Sequence, residues 1–81
     1  LLSEVEIFGS TSYSAAGEGT QYDYYKAGNS KVKKRNGSAA NWWERSPNAS
    51  NSTNFCLVNS NGNANNNNAS NANGVAFGFC V

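Results

Sequence analysis

Side chains able to perform acid–base or nucleophilic chemistry are few and scattered in this chain. Histidine, the side chain that most often serves as a general base near neutral pH, is absent from the sequence. The acidic residues form no grouping typical of a catalytic site: Glu4, Glu6, Glu18, Asp23 and Glu44. No serine or cysteine is accompanied by a residue that would take up its proton. We therefore expect a binding protein and not an enzyme.

Asparagine is the abundant polar side chain, and thirteen of the fifteen asparagines lie within residues 41–73. They recur at every third position from Asn48 to Asn54 and at every second position from Asn59 to Asn65. If the second segment is extended through its turn, the period of two places these side chains on one face. Asparagine both donates and accepts hydrogen bonds and tolerates turns, so we expect a polar display surface.

The same composition also suits a disordered, low-complexity tract, because such segments bury little apolar area. Against disorder, the asparagines are threaded through residues typical of a folded frame, such as Trp42, Phe55, Val58 and Val75. We interpret the segment as an ordered surface on an apolar scaffold.

The two cysteines, Cys56 and Cys80, form either one disulfide or two small buried apolar positions. A disulfide would contribute on the order of 3 kcal/mol in the chain-entropy model. The spacing of a zinc site is missing, and the Asn-rich segment lacks the neighbouring carboxylates that tight calcium binding needs. We expect no metal and no cofactor.

Trp42 and Trp43 point to opposite faces if they lie in a strand, so that one ring is core and the other is a candidate ligand contact. We assign the core position to Trp42 and the contact to Trp43. Arg45 would pair with a ligand carboxylate or with Glu44, or bind backbone carbonyls near Pro47, and we favour the last role.

Charge excludes some partners. Charged residues make up 14% of the chain and the net charge is +1, which gives no concentrated basic face for nucleic acid. We interpret the one basic cluster as a solvated loop: Lys31, Lys33, Lys34 and Arg35. No apolar run approaches the ~20 residues of a membrane span.

The first half of the chain is predicted to hold little regular structure. Alternation from Ser3 onward in residues 1–8 predicts a strand, or a strand that breaks into a short turn, and Gly9 ends it. The Gly-, Ser- and Thr-rich residues 9–20 predict a loop. Residues 21–27 favour a single helical turn packing Tyr22 and Tyr25, and a second polar loop follows over residues 28–41. The unusual leucine-rich start suggests a piece of a longer protein.

The second half favours strands. Residues 55–58 predict a short strand, and Asn61-Gly62 predicts a type I′ hairpin turn. Residues 75–81 predict a closing strand that carries four apolar residues on one face: Val75, Phe77, Phe79 and Val81. The fold class expected from these patterns is α+β, mostly strand and loop.

The segments LLSEVEIFG, QYDYYKAGNSKVKKRNGSA, NWWERSPNASNSTNFCLVNSNGN and GVAFGFCV resemble the DUF6273 domain of Firmicutes and phage proteins. That family's usual pattern has a leucine-serine strand, a Trp-Trp-Leu-Arg-Ser-Pro motif, a Val-Asn-Gly turn and a closing strand. The resemblance covers essentially residues 1–81. Glu44 replaces the usual leucine, and Gly78 follows Phe77 where Pro-Ala-Phe is common.

The layout also resembles the C-type-lectin-like variable proteins of diversity-generating retroelements, in which a reverse transcriptase scrambles template adenines. Asn codons are favoured targets of that process. The resemblance implies a variable region over residues 41–81, with Trp43 as a further contact. Its variable positions would be Asn41, Asn48, Asn51, Asn54, Asn59, Asn61, Asn63, Asn65, Asn66, Asn67, Asn68, Asn71 and Asn73.

The resemblance implies a single C-type-lectin-like domain over residues 1–81, or the C-terminal part of one. We expect it to display a changeable surface on a virion tail or a bacterial cell surface. Its partner would be a variable protein or glycan on a host or neighbouring cell, with no nucleic acid and no membrane insertion, and homo-oligomerisation would arise through the parent protein. The alternative is a structural or assembly domain whose asparagines contact only neighbouring subunits.

Overall fold

The computed structural model describes residues 1–76, which form a small domain of short strands with two single-turn helices. The elements in chain order are α1 (Glu4–Phe8), α2 (Asp23–Lys26), β1 (Lys33–Arg35), β2 (Ser38–Ala40), β3 (Trp42–Pro47), β4 (Asn54–Val58), β5 (Ala64–Asn68) and β6 (Gly74–Val75). Strands β1 and β2 form one sheet, and a second sheet has the order β5-β4-β3-β6. The expected α+β class, mostly strand and loop, is confirmed.

The prediction of a strand over residues 1–8 is wrong, because residues 4–8 are helical. Ser3 is the N-cap: its hydroxyl accepts a hydrogen bond from the Glu6 N–H at 3.2 Å, and the Glu6 carboxylate accepts one from the Ser3 N–H at 2.8 Å. This reciprocal pair is a capping box, and Gly9 ends the helix in the left-handed region with φ of 73°. The Ser-x-x-Glu spacing therefore overrides the alternation of apolar residues.

The helical turn expected in residues 21–27 is present as α2, but it packs only one of the two rings. Tyr25 is buried, whereas Tyr22 is 46% exposed. Residues 28–41, expected to be a loop, contain the β1–β2 hairpin. Asn36 and Gly37 at its tip both have positive φ, 54° and 82°, which is the requirement of a two-residue type I′ turn.

The hairpin between β4 and β5 lies where Asn61-Gly62 predicts one, but its turn is of another kind. The Asn59 N–H bonds to the Asn63 carbonyl at 2.9 Å, leaving a three-residue loop, and only Gly62 in that loop has positive φ, at 86°. This is the pattern of a longer hairpin loop closed by a left-handed glycine, so the type I′ assignment is wrong.

The core lies between α1, α2 and the inner face of the four-stranded sheet. Ile7, Tyr25, Trp42 and Val58 form its buried cluster. The core position assigned to Trp42 is thus confirmed, while Val75, expected in the scaffold, is 56% exposed. The other closing-strand residues lie outside the described residues: Phe77, Phe79 and Val81. In the described part of the chain, no helix has the length and apolarity needed to cross a membrane.

We expect Ser3→Ala to lower the free energy of unfolding by about 1 kcal/mol, because it removes the helix cap. The buried Ser3 hydroxyl also donates to the Glu18 carbonyl at 2.8 Å, so the loss should lie at the upper end of cap effects. Urea denaturation followed by circular dichroism would measure it. Ser10→Ala, at an exposed loop position, is the control. Equal stability of the two variants would contradict the role of the cap.

Candidate functional site

The asparagines between β3 and β4 build the turns of that connection. The Asn48 side-chain oxygen accepts from the Ser50 N–H at 2.9 Å, and the Asn51 oxygen accepts from the Thr53 N–H at 3.1 Å. Each oxygen also accepts from the hydroxyl of the same Ser or Thr. Such bonds to the residue two positions on are Asx turns, which explain the spacing of three as two successive turns.

Two further asparagines hold the β4–β5 hairpin in place. The Asn59 side-chain oxygen accepts from the N–H groups of Asn61 and Asn63, both at 3.0 Å. Asn41 accepts from the Ser60 N–H at 2.9 Å, which ties this hairpin to the residue before β3. Asn41 and Asn59 therefore belong to the framework, although the sequence analysis placed both among the display residues.

On β5, an edge strand of the sheet, asparagine side chains accept hydrogen bonds from backbone N–H groups. Asn65 and Asn67 each accept from the next N–H along the chain, at 2.8 and 2.9 Å. The Asn54 amide also donates to the Asn66 side-chain oxygen at 2.8 Å across the β4–β5 ladder. Local partners of this kind leave fewer free edge donors for another chain to pair with.

The expectation that Asn59 to Asn65 share one face is wrong, because the chain reverses between Asn59 and Asn63. The alternation instead holds within β5. Within residues 41–76, four exposed asparagines make no side-chain hydrogen bond: Asn61, Asn63, Asn68 and Asn71. Asn73 differs from them, since its buried amide nitrogen has no partner among the described residues.

Asn65 and Asn67 lie on the outer face of the sheet beside two aromatic residues. The strand register places Trp43 opposite Leu57, Leu57 opposite Asn65, and Phe55 opposite Asn67, and residues paired in this way share a face. Phe55 is 37% exposed and Trp43 is half-buried. The prediction that Trp43 faces away from Trp42 is therefore confirmed.

A hollow of about 290 Å³ opens at this outer face. Its lining is mainly apolar and consists of Leu1, Trp43, Glu44, Arg45, Phe55 and Ala69. Apolar hollows edged by a few polar groups are the usual form of small-ligand sites. We call the hollow, together with Asn65 and Asn67, the outer-face site.

Arg45 stands at the rim of this site and fixes the start of the chain. Its guanidinium contacts the Glu6 carboxylate at 2.6 Å and donates to the carbonyls of Leu1 and Glu18, both at 3.2 Å. A role in binding backbone carbonyls is thus confirmed, but those carbonyls are not near Pro47. Burial alone would raise the pKa of Glu6, and the hydrogen bond and charge of Arg45 with the Ser3 bonds hold it below its usual value.

Beneath the sheet lies a buried polar cluster that the sequence analysis missed. Glu4, Glu44 and Cys56 are all fully buried, and their ligand-type atoms lie within 4.8 Å of one another. Glu4 is well satisfied, because its carboxylate accepts from the N–H groups of Tyr13 and Ser14 and from the Ser14 hydroxyl. Neither carboxylate oxygen of Glu44 has a hydrogen-bond partner among the described residues.

In this cluster, burial and neighbouring carboxylates disfavour the charged forms of Glu44 and Cys56. Burial and the nearby carboxylates of Glu4 and Glu18 raise the pKa of Glu44 to about 8. Burial and the same acidic neighbours, with Glu44, raise the pKa of the Cys56 thiol to about 12. Glu44 is therefore largely protonated at neutral pH, and Cys56 is a thiol. The proposed Cys56–Cys80 disulfide is not testable on these contacts, since Cys80 lies outside the described residues.

A further contact extends the cluster toward the loop before α2. The Ser46 hydroxyl accepts from the Glu4 N–H at 2.9 Å and donates a short hydrogen bond to the Glu18 carboxylate. Two glutamates from separate segments, Glu4 and Glu18, thus approach Glu44 on β3. A sequence signal existed only for Glu44, where the resemblance places a leucine; its burial requires the fold.

These features define a small, β-rich domain. Its polar surface is formed by turns and by the edge strand β5. A family model described as a domain of unknown function, DUF6273, matches residues 1–81. The chain belongs to this family, as its Trp-Trp/Arg-Ser-Pro segment predicts. No curated protein and no solved structure matches the chain.

We expect Asn59→Ala to destabilise the fold by about 1 kcal/mol, because two hairpin N–H groups lose their acceptor. Asn61→Ala is the matched control, two positions away in the same turn, and should fall within about 0.5 kcal/mol of the wild type. Thermal and urea denaturation of both variants would measure the difference. Equal losses would show that Asn59 holds no special place in the turn.

Glu44→Leu should raise the free energy of unfolding, increasingly so at higher pH. The pKa of Glu44 is raised in the folded state from 4.5 to about 8. The stability that this raised pKa contributes is therefore fully present below pH 4.5. It is lost as pH rises through about 8, because the buried carboxyl then ionises in the folded protein. At ~1.4 kcal/mol per pKa unit, the variant should gain a few kcal/mol over the wild type by the upper pH.

Urea denaturation at graded pH, with a chelator present, would measure this gain. Glu44→Gln keeps the shape of the side chain and should also lose the pH dependence. Wild-type and Glu44→Leu stabilities that run parallel from pH 4.5 to about 8 would contradict the raised pKa of Glu44.

Proposed function

We propose that this chain is a ligand-binding display domain of a phage or bacterial surface protein, built on a C-type-lectin-like scaffold. The observation that carries the proposal is the outer-face site, where an apolar hollow adjoins asparagines on the same sheet face. The partner is a protein or glycan on a host or neighbouring cell. The chain performs no catalysis in this role.

The outer-face site has the parts that recognition needs. Trp43 and Phe55 supply aromatic contact area on strands, which hold their side chains at little entropic cost. Asn65 and Asn67 supply donors and acceptors beside them. Surfaces that combine rigid aromatic anchors with small polar side chains are typical of paratopes.

The asparagines differ in how far they tolerate replacement, and this bears on diversification. Six make hydrogen bonds that support turns or the β4–β5 ladder: Asn41, Asn48, Asn51, Asn54, Asn59 and Asn66. Six others are free of such bonds or only cover edge N–H groups: Asn61, Asn63, Asn65, Asn67, Asn68 and Asn71. We propose that the second group holds the changeable positions of a diversity-generating retroelement.

An all-asparagine surface binds weakly, since asparagine contributes little apolar area to a contact. Repeated display on a virion tail or cell surface would compensate through avidity, which raises overall binding without any new contact. Aromatic replacements at the second group would strengthen binding at each site.

The test is to sequence the DNA flanking the gene and the related loci of sibling strains. We expect a reverse transcriptase gene and a near-copy of the segment encoding residues 41–81, with differences only at template adenines. We also expect those differences at the second group of asparagines, while the first group stays fixed. The first group is the internal control, because its codons are equally rich in adenine.

Sibling chains carrying aromatic residues at the second group should then bind to host cells more tightly than the all-asparagine chain, and Trp43→Ala should weaken that binding. Absence of both the copy and the reverse transcriptase, with all asparagines fixed among siblings, would remove the display proposal. The domain would then be a structural or assembly module.

A further inference from the structure

We propose that Glu4, Glu44 and Cys56 form a binding site for one divalent cation of borderline softness, of the Zn²⁺ class. The three side chains come from α1, β3 and β4, so the fold brings them together from distant parts of the sequence. This site lies inside the domain; Glu44 also lines the hollow of the outer-face site, whereas Glu4 and Cys56 do not.

The geometry of the three ligands suits a single ion. One carboxylate oxygen from each glutamate and the Cys56 sulfur all lie within 4.8 Å of one another. Zinc binds carboxylate oxygen at about 2.0–2.2 Å and thiolate sulfur at about 2.3 Å. Tetrahedral ligands at those distances stand somewhat less than 4 Å apart, so small side-chain rotations complete the site.

Glu44 is the observation that points to a missing ligand. It is 1% exposed and both of its oxygens lack a partner among the described residues. A buried carboxyl without hydrogen bonds is destabilising, and most native structures avoid it. An ion held between Glu44, Glu4 and Cys56 would satisfy it.

Among the described residues, no positively charged side chain forms an ion pair with Glu4 or Glu44. Within residues 1–76 the only ion pair joins Arg45 to Glu6, and it lies at the surface. The Glu4 carboxylate is oriented by the Tyr13 and Ser14 N–H groups. Metal-binding carboxylates are usually oriented by such outer hydrogen bonds.

The ligand set selects the kind of ion. A thiolate favours Zn²⁺ and other borderline or soft cations, whereas Ca²⁺ and Mg²⁺ take oxygen ligands. Three protein ligands leave a fourth tetrahedral position for water. The Cys56 thiol must lose its proton to bind the ion, so the affinity rises with pH.

The experiment uses the full chain, stripped of metal with a chelator, dialysed and kept under a reductant that does not bind metal. Titration with Zn²⁺ followed by calorimetry, and with Cd²⁺ followed by ultraviolet absorption, would measure stoichiometry and thiolate coordination. We expect one ion per chain, a thiolate-to-cadmium charge-transfer band and an increase in Tm with Zn²⁺.

Three variants and two controls test the ligands. Glu44→Gln and Cys56→Ala should each weaken Zn²⁺ binding at least about tenfold, and Cys56→Ala should abolish the charge-transfer band. Cys80→Ser and Asp23→Asn should keep wild-type binding. Glu44→Leu, which is expected to fold stably, should show no increase in Tm with Zn²⁺ and covers the case in which another variant fails to fold.

Three outcomes would overturn the proposal. The wild type shows no Zn²⁺-dependent rise in Tm; the cadmium band survives in Cys56→Ala; or Glu44→Leu responds to Zn²⁺ as the wild type does. Loss of the band in Cys80→Ser but not in Cys56→Ala would place the ion at Cys80 instead and would equally reject this site. Cys56 does not line the outer-face hollow, so Cys56→Ala separates loss of the ion from a change at that site.

Discussion

The docking of α1 on β3 is the constraint on which the rest of this domain depends. The Arg45 N–H donates to the Leu2 carbonyl at 2.8 Å, and the Ser46 hydroxyl accepts from the Glu4 N–H. The backbone and a side chain of β3 therefore both hold the start of α1. Because the helix is one turn long, its end must be held by the Ser3–Glu6 capping box and by this contact. Burial of Ile7 beside Trp42 follows from the same placement, and so does the burial of Glu4.

A short chain with a small apolar cluster must obtain its order from other sources, and here side-chain-to-backbone hydrogen bonds supply much of it. The asparagines of the β3–β4 connection and the β4–β5 hairpin replace backbone partners that longer strands would provide. Each bond contributes about 1 kcal/mol or less. Together these hydrogen bonds hold the loops in a defined shape. The other asparagines therefore lie at fixed positions on the surface, where they can contact a ligand.

Local signals allowed part of this fold to be predicted from the sequence. The β4 strand, the helical turn at Tyr25 and the opposite directions of Trp42 and Trp43 follow from short-range patterns. In residues 1–8 the alternation predicts a strand, whereas Ser3 and Glu6 cap a helix. Asn36-Gly37 and Asn61-Gly62 are the same dipeptide, but only the first has positive φ at both residues. The Glu4–Glu44–Cys56 cluster could not be predicted, since three distant positions converge only through the tertiary fold.

The buried position of Glu44 is difficult to explain by packing alone. At a fully buried position of β3 an apolar residue would be more stable than a carboxyl without hydrogen-bond partners. Burying a carboxyl beside two other glutamates raises its pKa and lowers stability at neutral and higher pH. Sequences depart from local consistency mainly where a site needs the departure. The fold brings together the Cys56 thiol, the Glu44 carboxyl and the hydrogen-bonded Glu4 carboxylate from three separate elements. Ion binding explains this combination, and packing does not.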